Sequence, residues 1–307
     1  MFSPEITHEI QQKLKEMEDK RLNYKKKIKK SWIILGVISL VIGIIVFFKN
    51  NYFPALVVIF LGLVILVIVI FVSKNGIKKR FKTNVLNPTL NGKDSGVTFD
   101  ENNHITYDEF ARSDLFRKNA DRYNGEDLFF GERGKTAYKF SEIHAEEKHT
   151  TTNSKGQTKT TYTTIFRGIF MVADFNKKLE SSTRVIQARD NFFEKLFSGK
   201  RKVSLENPEF EKKYNTYSDS QIEARYILSP AMMERILKLE ELFNSRIDLS
   251  FRGNNVFIAI HSSKNHFEVD TGSALNSSQI ETIYKEIDSC LRIVDVLDLN
   301  TRIWTKQ

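Results

Sequence analysis

The sequence is poor in cysteine, with one thiol, Cys290, among 307 residues. A single thiol excludes an intramolecular disulfide framework, as expected for a domain in a reducing cytoplasm. Cys290 lies on an apolar stripe with helical spacing, which predicts a core residue. No recognisable motif places a histidine beside it, so the sequence does not favour a nucleophilic thiol.

Charged residues are missing from two long apolar runs, 31–48 and 53–73. At a rise of ~1.5 Å per residue, each run forms a helix of roughly 27 to 32 Å, close to the ~30 Å hydrocarbon core of a bilayer. Soluble core helices seldom lack a polar face over such a length. The runs therefore predict a two-helix transmembrane hairpin over residues 31–73, with the lipid bilayer as a partner. Neither span carries an ionisable residue that would line a transport path.

Basic residues flank this hairpin on one side of the predicted bilayer. They precede the first span and follow the second, whereas the connecting turn has only Lys49. Because cytoplasmic flanks carry the excess of lysine and arginine, both termini and the main domain are predicted to be cytoplasmic. The same flanks are expected to contact anionic lipid headgroups through Lys25, Lys26, Lys27, Lys29, Lys30, Lys78, Lys79 and Arg80.

Excess positive charge is missing from the rest of the chain. The net charge of +9 arises before residue 83, where 15 lysines and arginines face 5 acidic residues. Residues 83–307 hold 32 basic and 33 acidic residues. This balance lacks the electrostatic footprint of DNA or RNA binding, so no nucleic acid partner is predicted.

Catalytic and metal-binding motifs are missing as well. The segment 131–136 ends in Gly-Lys-Thr, but the first glycine of a P-loop would fall at Phe129, so we interpret the segment as a tight turn. His144 and His149 are five residues apart and would point to opposite faces of a strand. We predict no catalytic residue, metal site or cofactor.

Outside the two predicted spans, residues 1–96 divide into two parts. Residues 1–30 predict a basic amphipathic helix capped by Ser3. Its seam repeats at heptad spacing, which fits an oligomerising coil, a helix packed on the cytoplasmic domain, or a helix on the bilayer surface. We favour the last two, and homo-oligomerisation stays open. Residues 74–96 predict a basic flank and linker. The seam comprises Ile10, Leu14, Met17, Arg21, Tyr24 and Ile28.

Residues 97–307 predict a cytoplasmic α+β domain, an antiparallel sheet with amphipathic helices. Alternating β-branched and aromatic residues predict its strands, with 150–159 as a hairpin tip and a second hairpin around Gly253. The regular βαβ rhythm is missing, which favours α+β. The predicted strands are 97–99, 104–106, 126–131, 135–148, 160–175, 247–251 and 256–261.

Three helices are predicted in the same domain. One covers 107–119. A second covers 230–243, with Ser229 as cap and Pro230 in the first turn. The third begins at a capping box of Ser278 and Glu281.

Several acidic and basic residues lie close together in the segment 205–230. Asp219, Glu223 and Arg225 stand among tyrosines, so a polar pocket is one interpretation. The other is an ion pair between Glu223 and Arg225 that holds a corner of the fold, and we favour it.

Four separated segments resemble a known family. They are FRGIFMVADFNK (166–177), LENPEFE (205–211) with EARYILSP (223–230) and Met233-Glu234, and LNTRIWTK (299–306); YNGED (123–127) and FSE (140–142) fit as well. Together they resemble the uncharacterised bacterial membrane proteins of domain of unknown function 3137, over most of residues 107–307. The resemblance implies a membrane-tethered cytoplasmic domain in a bacterial cell membrane, and it supplies no activity.

We therefore expect a non-enzymatic, membrane-anchored binding or scaffolding protein for a protein partner or lipid headgroups. The alternative is a membrane-associated hydrolase or ligand-processing enzyme that uses Asp219, Glu223 and Arg225. The expected binding residues are polar or aromatic members of the resembling segments: Arg167, Asp174, Glu223, Arg225, Arg302 and Trp304.

Overall fold

The computed structural model describes residues 8–49, 53–90, 96–116, 118–188 and 201–301. The chain divides into two compact units. A helical unit comprises residues 3–89 and 268–283, and a sheet unit comprises residues 90–267 and 284–307. The architecture is α+β with an antiparallel sheet, which confirms the predicted fold class at that level.

The helical unit contains two long helices. Helix α1 (His8–Lys49) runs through the predicted boundary at residue 30, and α2 (Phe53–Phe81) continues through a π-helical turn (Lys82–Leu86) into α3 (Asn87–Leu90). The helices approach closely at Gly62, where an added Cβ would lie 2.7 Å from Leu35 Cδ2. Among the described residues, one helical stretch, Phe60–Leu90, is long and apolar enough to cross a membrane. The hairpin of two spans stays a prediction.

The predicted seam of α1 is buried at Leu14, Met17 and Arg21. Glu18 joins this helix to the segment after residue 267, because its carboxylate accepts hydrogen bonds from Arg21 Nη2 at 2.6 Å and from the Leu275 N–H at 2.9 Å. Lys25 Nζ donates to the Gly272 carbonyl at 3.0 Å. The N-terminal helix is therefore packed on a late segment of its own chain.

Seven strands form the antiparallel sheet, and five helices accompany them in the described part of residues 96–301. Their bounds are β1 (Val97–Asp100), α4 (Tyr107–Arg112), β2 (Arg122–Arg133), β3 (Thr136–Thr152), β4 (Thr158–Gln187), β5 (Arg201–Val203), α5 (Pro208–Lys213), β6 (Tyr214–Ser218), α6 (Gln221–Ile227), α7 (Pro230–Phe243), β7 (Ile247–His261) and α8 (Ser277–Val296). Cys290 on α8 is fully buried, which confirms the predicted core residue.

Strand β7 doubles back on itself. The His261 N–H donates to the Arg246 carbonyl at 2.9 Å, although fifteen residues of extended chain would hold them roughly 50 Å apart. Gly253, with φ 61°, lies at the reversal. The predicted hairpin around Gly253 is therefore confirmed within a segment that is extended throughout.

Strand β4 reverses too, which the sequence did not indicate. Its residues 168–174 pair with 255–261, the second arm of β7, whereas residues 183–185 pair with 249–251, the first arm. The arms of β4 therefore enclose the β7 hairpin, and the connection between them passes the hairpin tip, where Leu179 pairs with Gly253. The predicted strand 160–175 covers only the first arm.

One face of the sheet carries a continuous apolar core. Phe110 of α4 packs on it, with its ring centroid 5.0 Å from that of Phe170 and 5.9 Å from that of Phe166. Helix α4 ends at Arg112, so the predicted extension to 119 is wrong. The reason is local, because Asp114 takes a left-handed φ of 56° that a helix does not tolerate.

The predicted strand 104–106 is wrong, because these residues form no strand and Thr106 caps α4. Most predicted termini and turns are found, with one correction. Ser229 caps α7 and Pro230 begins it, as predicted. Gly134, with φ 66°, forms the tight turn predicted for 131–136. The first turn of α8 is capped by Asn276, whose Oδ1 accepts from the Gln279 N–H at 3.2 Å, and not by the predicted Ser278. An asparagine cap satisfies the same kind of unpaired helix N–H.

Candidate functional site

Three of the segments singled out in the sequence meet around one cavity of about 120 Å³ in the sheet unit. The connection of β4 supplies Phe175 and Lys177, the α6–α7 corner supplies Tyr226 and Ser229, and the turn after α8 supplies Asp298. We call it the Lys177 cavity. Sequence separations of more than forty residues hide this convergence.

Local backbone features place each wall. Asn176 has φ 53°, and its N–H donates to Asp174 Oδ1 at 3.1 Å, which turns β4 just before Lys177. The Ser229 hydroxyl accepts from the Met232 N–H at 3.4 Å and fixes the start of α7. Asp298 has φ 55° and reverses the chain directly after α8. The cavity is therefore bounded by three chain reversals.

The ammonium group of Lys177 lies against two aromatic rings. Nζ is 4.4 Å from the ring centroid of Tyr226 and 5.4 Å from that of Phe175. Both distances fall within the ~6 Å range of cation–π attraction. Burial lowers the pKa of Lys177 below its usual value, because partial loss of water penalises the charged form.

An arginine and a carboxylate form a second polar group in the cavity. Arg235 Nη2 lies 2.7 Å from Asp298 Oδ2, and the Thr301 hydroxyl donates to Asp298 Oδ1. Both side chains of the ion pair are about one-third exposed. The Asp298 carboxylate is thus held from two sides, with Arg235 oriented at the cavity wall.

Glu223 and Arg225 bind different partners, so the favoured ion pair between them is wrong. The Glu223 carboxylate accepts from the backbone N–H groups of Glu180 at 3.1 Å and Ser181 at 2.8 Å. Arg225 Nη2 donates to the Ser204 carbonyl at 3.4 Å. The two residues are two positions apart on α6, which directs their side chains apart. Glu223 does hold a corner, but through the backbone of β4.

Asp219 lines a different cavity, a cleft of about 300 Å³ that also contains Asp114 and Arg252. Ser182 lies between the carboxylates: its N–H is 3.4 Å from Asp219 Oδ2 and its hydroxyl is 3.4 Å from Asp114 Oδ2. Glu223 and Arg225 do not line this cleft. The three residues of the enzymatic alternative are therefore not assembled into one site.

The remaining predicted residues are dispersed. Asp174 lines an open groove of about 590 Å³ on the sheet face, beside Phe130 and Val172. Arg167 Nη2 donates to Asn265 Oδ1 at 2.6 Å, next to Gly168, where the pairing of β4 with β7 begins. Arg302 and Trp304 lie outside the described residues, directly after Thr301 of the Lys177 cavity.

Sequence reasoning missed the central residues of the cavity, namely Lys177, Tyr226, Arg235 and Asp298. Lys177 and Tyr226 stand inside the resembling segments, so a signal was present. Arg235 and Asp298 lie next to such segments without belonging to them. Among the described residues, no group of three or more histidine, cysteine or acidic side chains is arranged to hold a metal ion.

Comparison with known families gives a match. Residues 164–299 match a profile described as Protein of unknown function (DUF3137). This segment resembles the DUF3137 family. The match confirms the resemblance over a shorter range than the expected 107–307, and the DUF3137 segment contains every residue that lines the Lys177 cavity except Thr301.

Two further comparisons concern curated proteins and solved structures. No curated protein matches the sequence significantly. Among solved structures, the crystal structure of the mycobacterial trehalose monomycolate transport factor A, TtfA, is similar with 8% sequence identity and a TM-score of 0.38. That alignment covers 68% of this chain and 91% of the TtfA chain.

Proposed function

We propose that this chain is a non-enzymatic, membrane-anchored binding protein. In this proposal α1 and α2 span the bacterial cell membrane as a hairpin, and the sheet unit binds a protein partner on the cytoplasmic side. The observation that carries the proposal is the exposed apolar surface of the two long helices. Val37 and Leu40 on α1, and Val67 and Phe71 on α2, are each more than half exposed.

Exposed apolar surface of this extent is rare on soluble monomers, because each apolar group in contact with water costs free energy. A bilayer removes that cost. The basic residues support the same arrangement, since Lys26, Lys27, Lys79 and Arg80 are exposed and the two helices are antiparallel neighbours. The antiparallel packing brings both basic flanks to the end opposite the Lys49 turn, where anionic headgroups would meet them.

The Lys177 cavity supports a binding role for the sheet unit. It combines apolar walls with a few polar groups held by fixed partners, which is typical of recognition sites. Both carboxylate oxygens of Glu223, in contrast, accept hydrogen bonds from backbone N–H groups of β4. These contacts favour a structural role for Glu223 over an enzymatic one.

Cysteine labelling on intact cells tests the anchor. In a Cys290→Ala background, Asn51→Cys and Ser154→Cys each supply one accessible thiol, at the turn between the spans and at the β3–β4 tip. A membrane-impermeant maleimide should label Asn51→Cys in intact cells and Ser154→Cys only after permeabilisation. Labelling of both in intact cells, or of neither, would contradict the hairpin.

Photo-cross-linking in native membranes tests the binding role. A benzophenone amino acid at Tyr226, which is 45% exposed, should give a discrete protein adduct that the Lys177→Met variant loses. Tyr162 is 40% exposed on the β3–β4 hairpin and serves as the matched control. Identical adducts from both positions would show collision with abundant proteins and would contradict a partner at this cavity. Adducts to lipid alone would point to headgroup binding.

A further inference from the structure

The paired ends of β3 and β4 form a two-stranded ribbon, residues 146–152 with 158–164, that has an uncovered outer edge on β4. Strand β4 pairs with β7 only from Gly168 onward, and the Ser262 N–H donates to the Arg167 carbonyl at 2.9 Å just before it. In the described part of the chain, no backbone hydrogen bond reaches residues 158–164 from the β7 side. All seven of these residues are exposed. We call residues 158–164 the β4 edge.

A hydrogen bond at the hairpin tip sets the direction of the backbone groups along the β4 edge. The Asn153 N–H donates to the Gln157 carbonyl at 3.0 Å, so these two residues form a hydrogen-bonded pair. Such pairs alternate along an antiparallel ladder with pairs whose N–H and carbonyl groups point outward. Counted along the register from the tip, Thr158, Thr160 and Tyr162 belong to the outward kind. The β4 edge therefore presents backbone donors and acceptors to a further strand.

The opposite edge of the ribbon, on β3, is blocked. The Lys148 N–H points outward by the same alternation, and it donates to Asp121 Oδ2 at 2.7 Å. The Asp121 N–H donates to the Glu146 carbonyl at 2.9 Å, which holds the aspartate in place. Covering an edge with a charged side chain or a loop prevents strand addition. The β4 edge is therefore the side of the ribbon on which a further strand can add.

The composition of the β4 edge favours such an addition. It reads TKTTYTT, and β-branched and aromatic residues are the ones enriched in strands. Natural edges resist strand addition with proline or with bulges. The β4 edge contains no proline, and no bulge interrupts its pairing with β3. Because a two-stranded ribbon is marginally stable in water, a third strand would stabilise it.

The β4 edge is complementary to itself in one antiparallel register. With a two-fold axis at Thr161, Thr160 lies opposite Tyr162 of the second copy, and aromatic and β-branched residues form favourable cross-strand pairs. Lys159 then lies opposite Thr163. Four residues at ~3.4 Å each separate the two lysine positions by ~13 Å along the strands. No like charges therefore stand directly opposite each other.

We propose that the β4 edge pairs with the β4 edge of a second copy of this chain, which joins two ribbons into one four-stranded antiparallel sheet. Such a two-fold contact uses the same surface on both copies and closes on itself. One pair of short edges is small beside the ~1,200–2,000 Å² buried in stable complexes. The contact therefore depends on the proposed membrane anchor, which raises the effective concentration of the chains. It is independent of the Lys177 cavity.

Disulfide cross-linking of the full-length protein in isolated membranes tests the pairing. In a Cys290→Ala background, Thr161→Cys places two thiols at the axis, in a pair with Cα atoms ~4.5 Å apart. A disulfide spans roughly 4.4–6.8 Å between Cα atoms. Mild copper–phenanthroline oxidation should therefore give a dimer of twice the mass. Thr151→Cys is the matched control, exposed on the same face of the ribbon but on β3, and should stay monomeric.

Proline variants separate strand pairing from mere proximity. Thr160→Pro removes one outward N–H and leaves the ladder to β3 intact, since proline is tolerated where the N–H faces solvent. Added to Thr161→Cys, it should abolish the dimer. Thr150→Pro removes the corresponding N–H on the β3 edge and should leave the dimer unchanged. Thr163→Cys, ~13 Å from its counterpart in this register, should stay monomeric.

The inference is overturned by the absence of a dimer through Thr161→Cys, or by a dimer that persists with Thr160→Pro. Equal dimer through Thr151→Cys would show random collision and would also overturn it. A Thr161→Cys product with the mass of another protein would assign the β4 edge to that protein. Each of these results leaves the proposed anchor standing, because labelling at the turn between the spans tests the anchor separately.

Discussion

At the scale of the residue, a few backbone positions determine which substitutions the fold tolerates. Gly168 is the clearest, because its φ is 142° and an added Cβ would lie 2.0 Å from the Ile260 carbonyl oxygen. A backbone atom cannot move aside as a flexible side chain can. The sequence alone shows only a glycine in a predicted strand, where close approach of another backbone is one of several explanations.

We expect Gly168→Ala to destabilise the sheet unit by about 3 kcal/mol or more, since overpacking alone costs about 1–3 kcal/mol and the φ strain adds to it. Chemical denaturation monitored by far-ultraviolet circular dichroism measures the change in the free energy of unfolding. Gly76→Ala is the control, because nothing lies within 4 Å of its added Cβ. Equal stability of the two variants would contradict the close contact at Gly168.

Asp248 is a second residue on which stability depends, and its side chain is only 1% exposed. Burial by itself would raise its pKa, but the hydrogen bond from His261 at 2.9 Å and the charge of Arg246 outweigh burial and hold the pKa of Asp248 below its usual value. A lowered pKa in the folded state adds stability at pH values above the unfolded pKa of ~3.9. That stability is lost as the pH falls through the folded value.

Asp248→Asn should therefore cost about 3–5 kcal/mol at pH 7, as expected when one partner of a buried charge pair is removed. Its stability should also fall less steeply than that of the wild type as the pH drops below ~4. Thermal unfolding between pH 3 and pH 7 measures both effects, with the exposed Asp108→Asn as control. Parallel pH profiles of Asp248→Asn and wild type would refute the assignment.

At the scale of the element, the strands were predicted where side chains alternate and missed where the chain turns inside a strand. Alternation of apolar and polar residues with a period of two predicted the strands β2, β3 and β7. The second arm of β4 was missed because its pairing with residues 249–251 and with β6 depends on tertiary contacts. The short helices α5 and α6 were missed for lack of length, although Asn207 and Ser220 cap them. The Lys177 cavity combines the connection of β4, the α6–α7 corner and the turn after α8, so it could not be predicted before the fold.

The β3–β4 hairpin extends past the rest of the sheet. Pairing of β3 with β2 ends at Glu146 and pairing of β4 with β7 ends at Gly168, but the two strands continue to pair up to Thr152 and Thr158. From Thr158 to Thr164 every residue is exposed. A ribbon without an apolar face contributes little to a core.

Replacing residues 150–160 with Asn-Gly, so that His149 and its neighbour Thr161 remain paired, should change the free energy of unfolding by less than about 0.5 kcal/mol. Asn-Gly is chosen because it favours two-residue hairpin turns. Equilibrium denaturation of the shortened and full chains provides the comparison. A loss of more than 1 kcal/mol would mean that the ribbon stabilises the fold.

At the scale of the whole molecule, the helical unit is assembled from both ends of the chain. Arg21 is buried beside Glu18, and the hydrogen bond from Arg21 lowers the pKa of Glu18. Lys78 and Lys82 both pair with Glu268. The seam of α1 was predictable from its spacing, whereas its partner segment was not, since residues 268–276 carry no periodic pattern.

Glu18→Ala should release the segment 268–283 and destabilise the helical unit by about 1.5–3 kcal/mol, the range for hydrogen bonds to charged groups. Hydrogen exchange should show faster exchange of the Leu275 amide while the amides of β3 and β7 stay protected. Glu16→Ala, an exposed change on the same helix, is the control. Unchanged protection at Leu275 in the Glu18 variant would refute the role of this contact.

The hydrogen bond between Glu18 and Leu275 also sets an order of events during synthesis. The two residues are 257 positions apart, so at ~5–20 residues per second Leu275 leaves the ribosome roughly 13 to 50 s after Glu18. During that interval Glu18, a neighbour of the buried residues Leu14, Met17 and Arg21, lacks the backbone N–H that it binds in the folded chain. Helix α1 therefore reaches its final contacts only after synthesis has passed Leu275.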